Sequence, residues 1–279
     1  MDNLKKFNQP AIIKNIFKPF NNEDIRQLPD NVEKVLFHLD DGEKVACYLQ
    51  HFSAESPVLL YFPAENESFT SFAQRLKMFR EFEFNLLFVA YRNHDNEDIE
   101  DALPVIFDNG VKIIADIKKY LDDKNYNSDI FVMGRSLGSF CAVEAALRFS
   151  GFIKGMIIES GINSFPVYLK SLGININQPD ISERDGFDTL TKMEMIKLPT
   201  IIFHGAADDL IPVGQAEKIQ SFSGARSKQF FIIPSADRWN IAEVGGKLFY
   251  QTIKKFTDTI RGVNTWRKKR KKYCIKEKG

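Results

Sequence analysis

The fold of this chain is decided by the stretch Gly134-Arg135-Ser136-Leu137-Gly138. A continuous apolar run, Ile130–Met133, precedes it and is typical of a buried strand, and the run Ser139–Leu147 after it has a helical pattern. A serine between two glycines at such a junction lies on a sharp turn, because small residues two positions away let strand and helix approach each other. This context predicts a nucleophile elbow, with the Ser136 hydroxyl held at the end of a strand.

Outward from the elbow, strand and helix patterns alternate along the chain. An Asp-Gly turn at Asp41 and Gly42 joins two strand-like runs into an antiparallel hairpin near the start. Short apolar runs and amphipathic helical runs follow in turn, up to a final helix at about 240–260. Such alternation predicts an α/β protein with a mostly parallel sheet of eight strands and helices on both faces.

The length of 279 residues and the hydrophobic content of 44% suit one large domain. We predict its limits at 31–262, with residues 163–198 as a small cap-like insertion. Residues 1–30 form an N-terminal extension, in which residues 11–20 carry apolar side chains on one face with lysines between them. Packing on the body is the first interpretation of this face, and contact with a membrane surface is the second.

The net charge of +1 hides a strongly basic C-terminus. Residues 263–279 hold eight Lys and Arg residues against Glu277, a charge of +7, so the rest of the chain carries −6. A solvated tail and an electrostatic contact with an anionic surface or an acidic partner are both open. The contact would run through Arg267, Lys268, Lys269, Arg270, Lys271 and Lys272. The acidic body carries no recognised nucleic-acid motif.

Cysteine use and hydropathy indicate the compartment. The three cysteines, Cys47, Cys141 and Cys274, lie far apart and have neither metal-ligand nor disulfide spacing, which favours a reducing environment. There is no apolar run of 18 residues and no secretory pattern at the N-terminus. We therefore predict a cytoplasmic protein without a transmembrane segment, with peripheral membrane association as the alternative. No metal or cofactor is predicted, and no glycine-rich nucleotide-binding motif occurs.

A second motif, His204-Gly205-Ala206-Ala207-Asp208-Asp209-Leu210-Ile211-Pro212, follows the elbow about 70 residues later. Together the two motifs resemble the α/β-hydrolase family, in particular its compact serine hydrolases with little or no lid, over about residues 30–260. The resemblance implies the α/β-hydrolase fold, Ser136 as nucleophile and Asp208 as the triad acid, with Asp209 as the next candidate. Without the family, both aspartates are equally consistent with a solvated turn before a helix.

The catalytic histidine is the first departure from the family pattern. A serine hydroxyl needs an imidazole to take its proton, and a carboxylate to orient that imidazole. The family carries the histidine after its last strand, where this chain has Arg238. Arginine stays protonated and has no lone pair to accept a proton. We expect Arg238 to form an ion pair with Asp208 in place of the lost acid–base pair.

None of the four histidines is a convincing substitute base. His94 follows a strand at the edge where active-site loops gather, so it is the one weak candidate, although an ordinary loop histidine fits as well. His204 belongs to the second motif, where the family uses it structurally. His38 and His51 lie on the entry hairpin, far from the elbow.

The oxyanion hole is the second departure. One donor is expected to be the backbone N–H of Leu137, the residue after the nucleophile. By position the second donor is the N–H of Glu65, in a loop where the family often reads His-Gly-Asn. A carboxylate next to a developing oxyanion opposes its stabilisation, and losing one donor typically costs about 2.7–4 kcal/mol.

These departures favour a catalytically deficient protein, a pseudoenzyme, that keeps the fold for binding a ligand or a partner. The alternative is an active serine hydrolase of esters, thioesters or acylated proteins, which uses Ser136 and Asp208 with an unorthodox base. A third interpretation is a surface-associated interaction protein localised by its basic tail. Fold alone does not decide among them, because function depends on the site.

Overall fold

The structure, a computed structural model, describes residues 2–17, 28–91, 103–126, 129–174, 182 and 185–263. Eight strands form one sheet in the order β1-β2-β4-β3-β5-β6-β7-β8. The β1/β2 and β2/β4 pairs are antiparallel, and the pairs from β4/β3 to β7/β8 are parallel. The predicted eight-stranded, mostly parallel sheet is confirmed. The strands are β1 (Val32–His38), β2 (Lys44–Gln50), β3 (Val58–Phe62), β4 (Asn85–Val89), β5 (Ile130–Arg135), β6 (Ile153–Glu159), β7 (Thr200–Gly205) and β8 (Lys228–Ile233).

Helices cover both faces of the sheet. The sheet lies between two apolar clusters, one on each face. The larger cluster lies under α3, α4, α5, α7 and α8, and the smaller one under α2 and α9. The strands of the sheet centre, β3, β4 and β5, are buried along their whole length, as expected for strands covered on both sides. The helices are α1 (Pro10–Ile16), α2 (Ala73–Glu81), α3 (Leu103–Lys112), α4 (Ile114–Asp123), α5 (Gly138–Arg148), α6 (Phe165–Ser171), α7 (Thr189–Met195), α8 (Val213–Phe222) and α9 (Ile241–Ile260).

The N-terminal segment contributes side chains to the larger cluster. A short 3₁₀ helix, Asp2–Phe7, and α1 bury Leu4, Phe7, Ile12, Ile13 and Ile16 there. The insertion predicted at 163–198 carries α6 and α7, and residues 175–181, 183 and 184 of it lie outside the described part. The basic tail lies outside it too, apart from Val263. No helix within the described ranges is long and apolar enough to cross a membrane.

The parallel strands bring four loops to one edge of the sheet. The carboxyl ends of β3, β5, β7 and β8 point the same way, so the segments after them meet there. Ser136, Asp208, Glu65 and Arg238 lie in these segments, and they define the candidate site.

Candidate active site

Ser136 occupies the turn between β5 and α5 with a left-handed backbone, φ 50°. Residues other than glycine rarely adopt this conformation, and they do so where the surroundings hold them in it. The Ser136 N–H donates to the Glu159 carbonyl at the end of β6, 2.9 Å away. The backbone therefore has the strained geometry of a nucleophile elbow.

The two glycines of the motif are required by close approach. A Cβ on Gly134 would lie 2.3 Å from the Gly138 carbonyl oxygen, so β5 and α5 touch at this point. A Cβ on Gly138 would lie 2.2 Å from the carbonyl oxygen of Phe62, at the end of β3. The elbow and the loop after β3 are therefore in direct backbone contact.

Replacing Gly138 with alanine is expected to lower the free energy of unfolding by about 1–3 kcal/mol or more, because the new methyl group overlaps backbone that cannot move aside. Gly151→Ala is the matched control, since a Cβ there meets no atom within 4 Å. Chemical denaturation of both variants checks the prediction. Equal stability of the two would mean that the elbow relaxes without loss.

Arg238 reaches directly to the elbow serine. Its Nη2 donates to the Ser136 Oγ and, at 2.6 Å, to Oε1 of Glu65. The Tyr168 hydroxyl of α6 donates to the same Glu65 oxygen at 2.8 Å. The relative exposure is 0% for Ser136, 2% for Glu65 and 3% for Arg238. The four side chains form a buried group, which we call the Arg238 cluster.

The ion-pair partner of Arg238 is Glu65, not Asp208 as expected from the sequence. Within the described residues, Arg238 and Asp208 form no ion pair at 4 Å or less. The reason is that the Glu65 side chain lies between the loop after β3 and Tyr168, where it accepts hydrogen bonds from both Arg238 and Tyr168. The indole ring of Trp239 packs on the guanidinium, with 4.5 Å between Cζ and the ring centroid.

Asp208 is buried in the turn after β7, and Asp209 is exposed. Oδ1 of Asp208 accepts the N–H groups of Leu210 at 3.2 Å and Ile211 at 2.8 Å. Burial raises the pKa of the Asp208 carboxyl, although these hydrogen bonds and the nearby His204 and Arg238 act in the opposite direction. Its Oδ2 has no hydrogen-bond partner. An imidazole at position 238 is the kind of group that Oδ2 would accept from.

A second buried group of charges lies beside the elbow. Arg135, the residue before Ser136, contacts Glu67 at 2.6 Å and Glu159 at 3.4 Å. Arg75 of α2 contacts Glu159 at 2.5 Å and Glu67 at 3.7 Å. We call these four residues the Arg135 network. Burial by itself would raise the pKa of Glu67, but Arg135 and Arg75, with a hydrogen bond from Tyr61, hold it below its usual value.

The Arg135 network is tied to the Arg238 cluster through the backbone. Nη2 of Arg135 donates to the carbonyl oxygens of Arg238, at 3.4 Å, and of Trp239. The residue before the serine thus holds the loop that presents Arg238 to the serine. Sequence reasoning missed this link, and also Tyr168, Glu67, Arg75 and Glu159. The one available signal was a charged side chain, Arg135, at the end of a buried strand.

The three histidines in the described part of the chain, His38, His51 and His204, form no hydrogen bond with the Ser136 hydroxyl. Nε2 of His204 hydrogen-bonds the Ile211 carbonyl at 2.7 Å and lies 3.6 Å from Oδ2 of Asp208. His38 and His51 lie on the hairpin of β1 and β2, three or more strands from β5 in the sheet order. His94 lies outside the described residues. The backbone N–H groups of Leu137 and Glu65 stay predicted oxyanion donors.

The guanidinium of Arg238 can stabilise a negative charge on the Ser136 oxygen, but it cannot generate that charge by taking the hydroxyl proton. A guanidinium donates hydrogen bonds and stays protonated, so it has no means to remove the hydroxyl proton. Oε1 of the Glu65 carboxylate is shared by Arg238 and Tyr168, Oε2 has no hydrogen-bond partner, and neither oxygen is hydrogen-bonded to the Ser136 hydroxyl. Among the described residues, no group of three or more His, Cys, Asp and Glu side chains is arranged to hold a metal ion.

Comparison with solved structures identifies the fold. An esterase of Pyrococcus furiosus superimposes with a TM-score of 0.70, covering 88% of this chain and 98% of that chain at 13% identity. The chain has the α/β-hydrolase fold. The same fold is shared with Est1E from Butyrivibrio proteoclasticus, at a TM-score of 0.62 and 14% identity, which covers 82% of this chain and 99% of that one. A monoacylglycerol lipase of Paleococcus ferrophilus matches at a TM-score of 0.57 and 16% identity, and the match covers 77% of this chain and 99% of the lipase.

Sequence comparison alone gives a much shorter match. A proline iminopeptidase of Saccharolobus solfataricus is 27% identical over 77 residues, which is 28% of this chain and 24% of that protein. The match therefore spans about a quarter of that curated relative. No protein-family model matches the chain. The α/β-hydrolase fold of this protein is accordingly shown by structural similarity at low sequence identity. Its chemistry depends on its own site residues, because a fold alone does not determine function.

Proposed function

We propose that this protein is a catalytically deficient member of the α/β-hydrolase fold that acts by binding a ligand or a protein partner. One observation carries the proposal: the guanidinium of Arg238, at the position expected for the catalytic histidine, donates to the Ser136 hydroxyl. A hydroxyl that accepts from a guanidinium, with no base hydrogen-bonded to it among the described residues, is a poor nucleophile at neutral pH.

The surroundings of Arg238 support the same conclusion. Glu65 neutralises the guanidinium, Tyr168 hydrogen-bonds Glu65, and the Arg135 network fixes the loop that carries Arg238. Each of these groups stabilises the arginine where an imidazole would be needed. A triad without its base retains only the residual catalysis of binding and the oxyanion hole, about 10³–10⁴-fold over water.

The test is labelling of the purified protein by a fluorophosphonate probe, which reacts only with activated serines. We expect no labelling that depends on Ser136. Short-chain nitrophenyl esters should be turned over equally by the wild type and by Ser136→Ala, because any residual rate would not use the serine. An active serine hydrolase assayed in parallel controls the probe. Labelling of the wild type that disappears in Ser136→Ala would overturn the proposal.

An active serine hydrolase is the second candidate function, and the elbow favours it. Ser136 keeps the left-handed backbone of a nucleophile, and Asp208 keeps a free carboxylate oxygen, although no described residue supplies the base between them. In that event His94 is the base to test. His94→Ala should then abolish serine-dependent labelling while leaving the melting temperature near that of the wild type.

A further inference from the structure

Exposed apolar side chains concentrate around the last strand of the sheet. Most of the large apolar residues that the described chain exposes lie on β8, on the loop after it, or on the helices that cover its two faces. We call this surface the β8 patch: Phe222, Phe231, Ile232, Trp239, Val244 and Leu248. Large exposed apolar surfaces on soluble domains mark interaction sites.

The backbone of β8 is open along this patch. Thr200 and Ala206 of the β7 side donate to the carbonyls of Ser227 and Ile233, so alternate residues of β8 face β7. The N–H and C=O groups of Lys228, Phe230 and Ile232 therefore point away from the sheet. In the described part of the chain no strand pairs with them, because β8 is the last strand in the sheet order.

The usual protection of an edge strand is missing here. Edge strands are commonly guarded by lysines, prolines or bulges that discourage pairing with another strand. Lys228 is the one charged residue of β8, and its Nζ is turned back onto the carbonyls of Gln220 and Ser223, 3.1 Å from each. The remaining residues of the strand, from Gln229 to Ile233, carry no charge and include two phenylalanines.

We propose that a second copy of this chain pairs with β8 in antiparallel orientation and continues the sheet across a two-fold axis. The charges at the two ends of the strand favour this occupant. Arg226 and Lys228 lie at its start, and Asp237 and Glu243 follow its end. Antiparallel pairing places the basic end of one copy by the acidic end of the other, whereas parallel pairing places like charges together.

The symmetry also fits the outward-facing backbone groups. With the two-fold axis at Phe230, Lys228 of each copy faces Ile232 of the other, and all three outward-facing residues pair. Ile232 on the α8 face, and Phe231 with Val244 on the α9 face, then become covered on both sides of the joined sheet. The interface uses one patch twice, as a two-fold dimer requires.

Sedimentation velocity of the full chain, over an about thousandfold range of concentration, tests the proposal, because dimer formation follows mass action. We expect a monomer–dimer equilibrium. Ile232→Lys, which puts a charge at the centre of the patch, should raise the dissociation constant at least about tenfold. Leu36→Lys is the matched control on β1, the opposite edge strand, where Leu36 is 48% exposed against 45% for Ile232. It should leave association unchanged.

Two further variants keep the test decisive. Ile232→Pro removes only an outward-facing N–H, so it should block pairing while leaving the bonds to β7 intact. If circular dichroism shows that both Ile232 variants are unfolded, Arg226→Glu provides the test. This variant places like charges together at the ends of the paired strands, so we expect it to weaken the dimer, and to do so more strongly at low salt. A wild type that stays monomeric, or equal effects of Ile232→Lys and Leu36→Lys, would overturn the proposal. So would a monomer that uses the β8 patch to bind lipid vesicles.

Discussion

Replacing Glu159 with glutamine is expected to lower the free energy of unfolding by about 3–5 kcal/mol, because it removes one partner from a buried group of charges. Glu159 is fully buried and contacts both arginines of the Arg135 network. After the substitution, Glu67 alone has to compensate Arg75 and Arg135. Glutamine keeps the shape of the side chain, so the loss reports on charge rather than on packing. Urea denaturation of the purified variant measures it.

The control is an ion pair of the same chemistry at the surface. Glu81 contacts Lys247 at 2.8 Å, and both side chains are about half exposed or more. Glu81→Gln is expected to cost less than about 1 kcal/mol, since exposed pairs are screened by water and salt. If Glu159→Gln destabilised the protein no more than Glu81→Gln, then water would have to reach the buried arginines, and the Arg135 network would not hold the site together.

Arg238→His should confer no activity by itself, although it puts an imidazole at the position predicted for a catalytic histidine. The histidine leaves the buried Glu65 carboxylate without its counter-ion, and removing one partner of a buried pair costs about 3–5 kcal/mol. Glu65 would then compete with Asp208 for the new imidazole. We therefore expect a less stable protein, seen in its thermal unfolding, with ester turnover close to that of the wild type.

Arg238→His combined with Glu65→Gln is expected to behave differently. The paired substitution removes both charges together, so most of the lost stability should return, and Oδ2 of Asp208 is free to accept from the imidazole. A positioned general base contributes about 10²–10⁴-fold, and we expect a gain near the lower end of that range. Turnover should rise as the pH passes the pKa of a histidine, about 6.5, because only the neutral imidazole accepts a proton.

The outcome separates two explanations of the proposed catalytic deficiency. Fluorophosphonate labelling of the double variant that vanishes when Ser136 is also replaced by alanine would show that the base was the main missing part. No labelling in a stably folded double variant would contradict the prediction. It would mean that the oxyanion hole predicted at Leu137 and the loop after β3 does not form either.

The fold could be predicted from the sequence because its signals are local. A turn with glycine at two fixed places, a buried strand before it and a helix after it leave few alternatives, and the motif around Asp208 repeats the argument at β7. Arg238 could be placed in the same way, because it follows the last predicted strand, where the family pattern has its histidine. What each of these residues would touch depended on contacts between distant segments, which no local pattern encodes.

Glu65 illustrates what the sequence could not predict about the site. From the sequence it was a backbone donor whose carboxylate disturbed an oxyanion hole, and Asp208 was the expected partner of Arg238. In the structure Glu65 is the counter-ion itself, and Tyr168 approaches from α6 and donates to the same carboxylate oxygen as Arg238. Tyr168 lies in a segment with no recognisable motif, so nothing in the sequence placed it over the elbow.

The backbone link from Arg135 to the loop after β8 bears on how this region moves. Enzymes draw their lids and substrate loops from the least stable parts of the fold, where amides exchange with solvent through small local openings. Here residues of β5, of α6 and of the loops after β3 and β8 are joined into one buried junction at that same edge. Because opening this junction requires several distant segments to separate together, we expect its backbone amides to exchange more slowly with solvent than those of a mobile active-site loop.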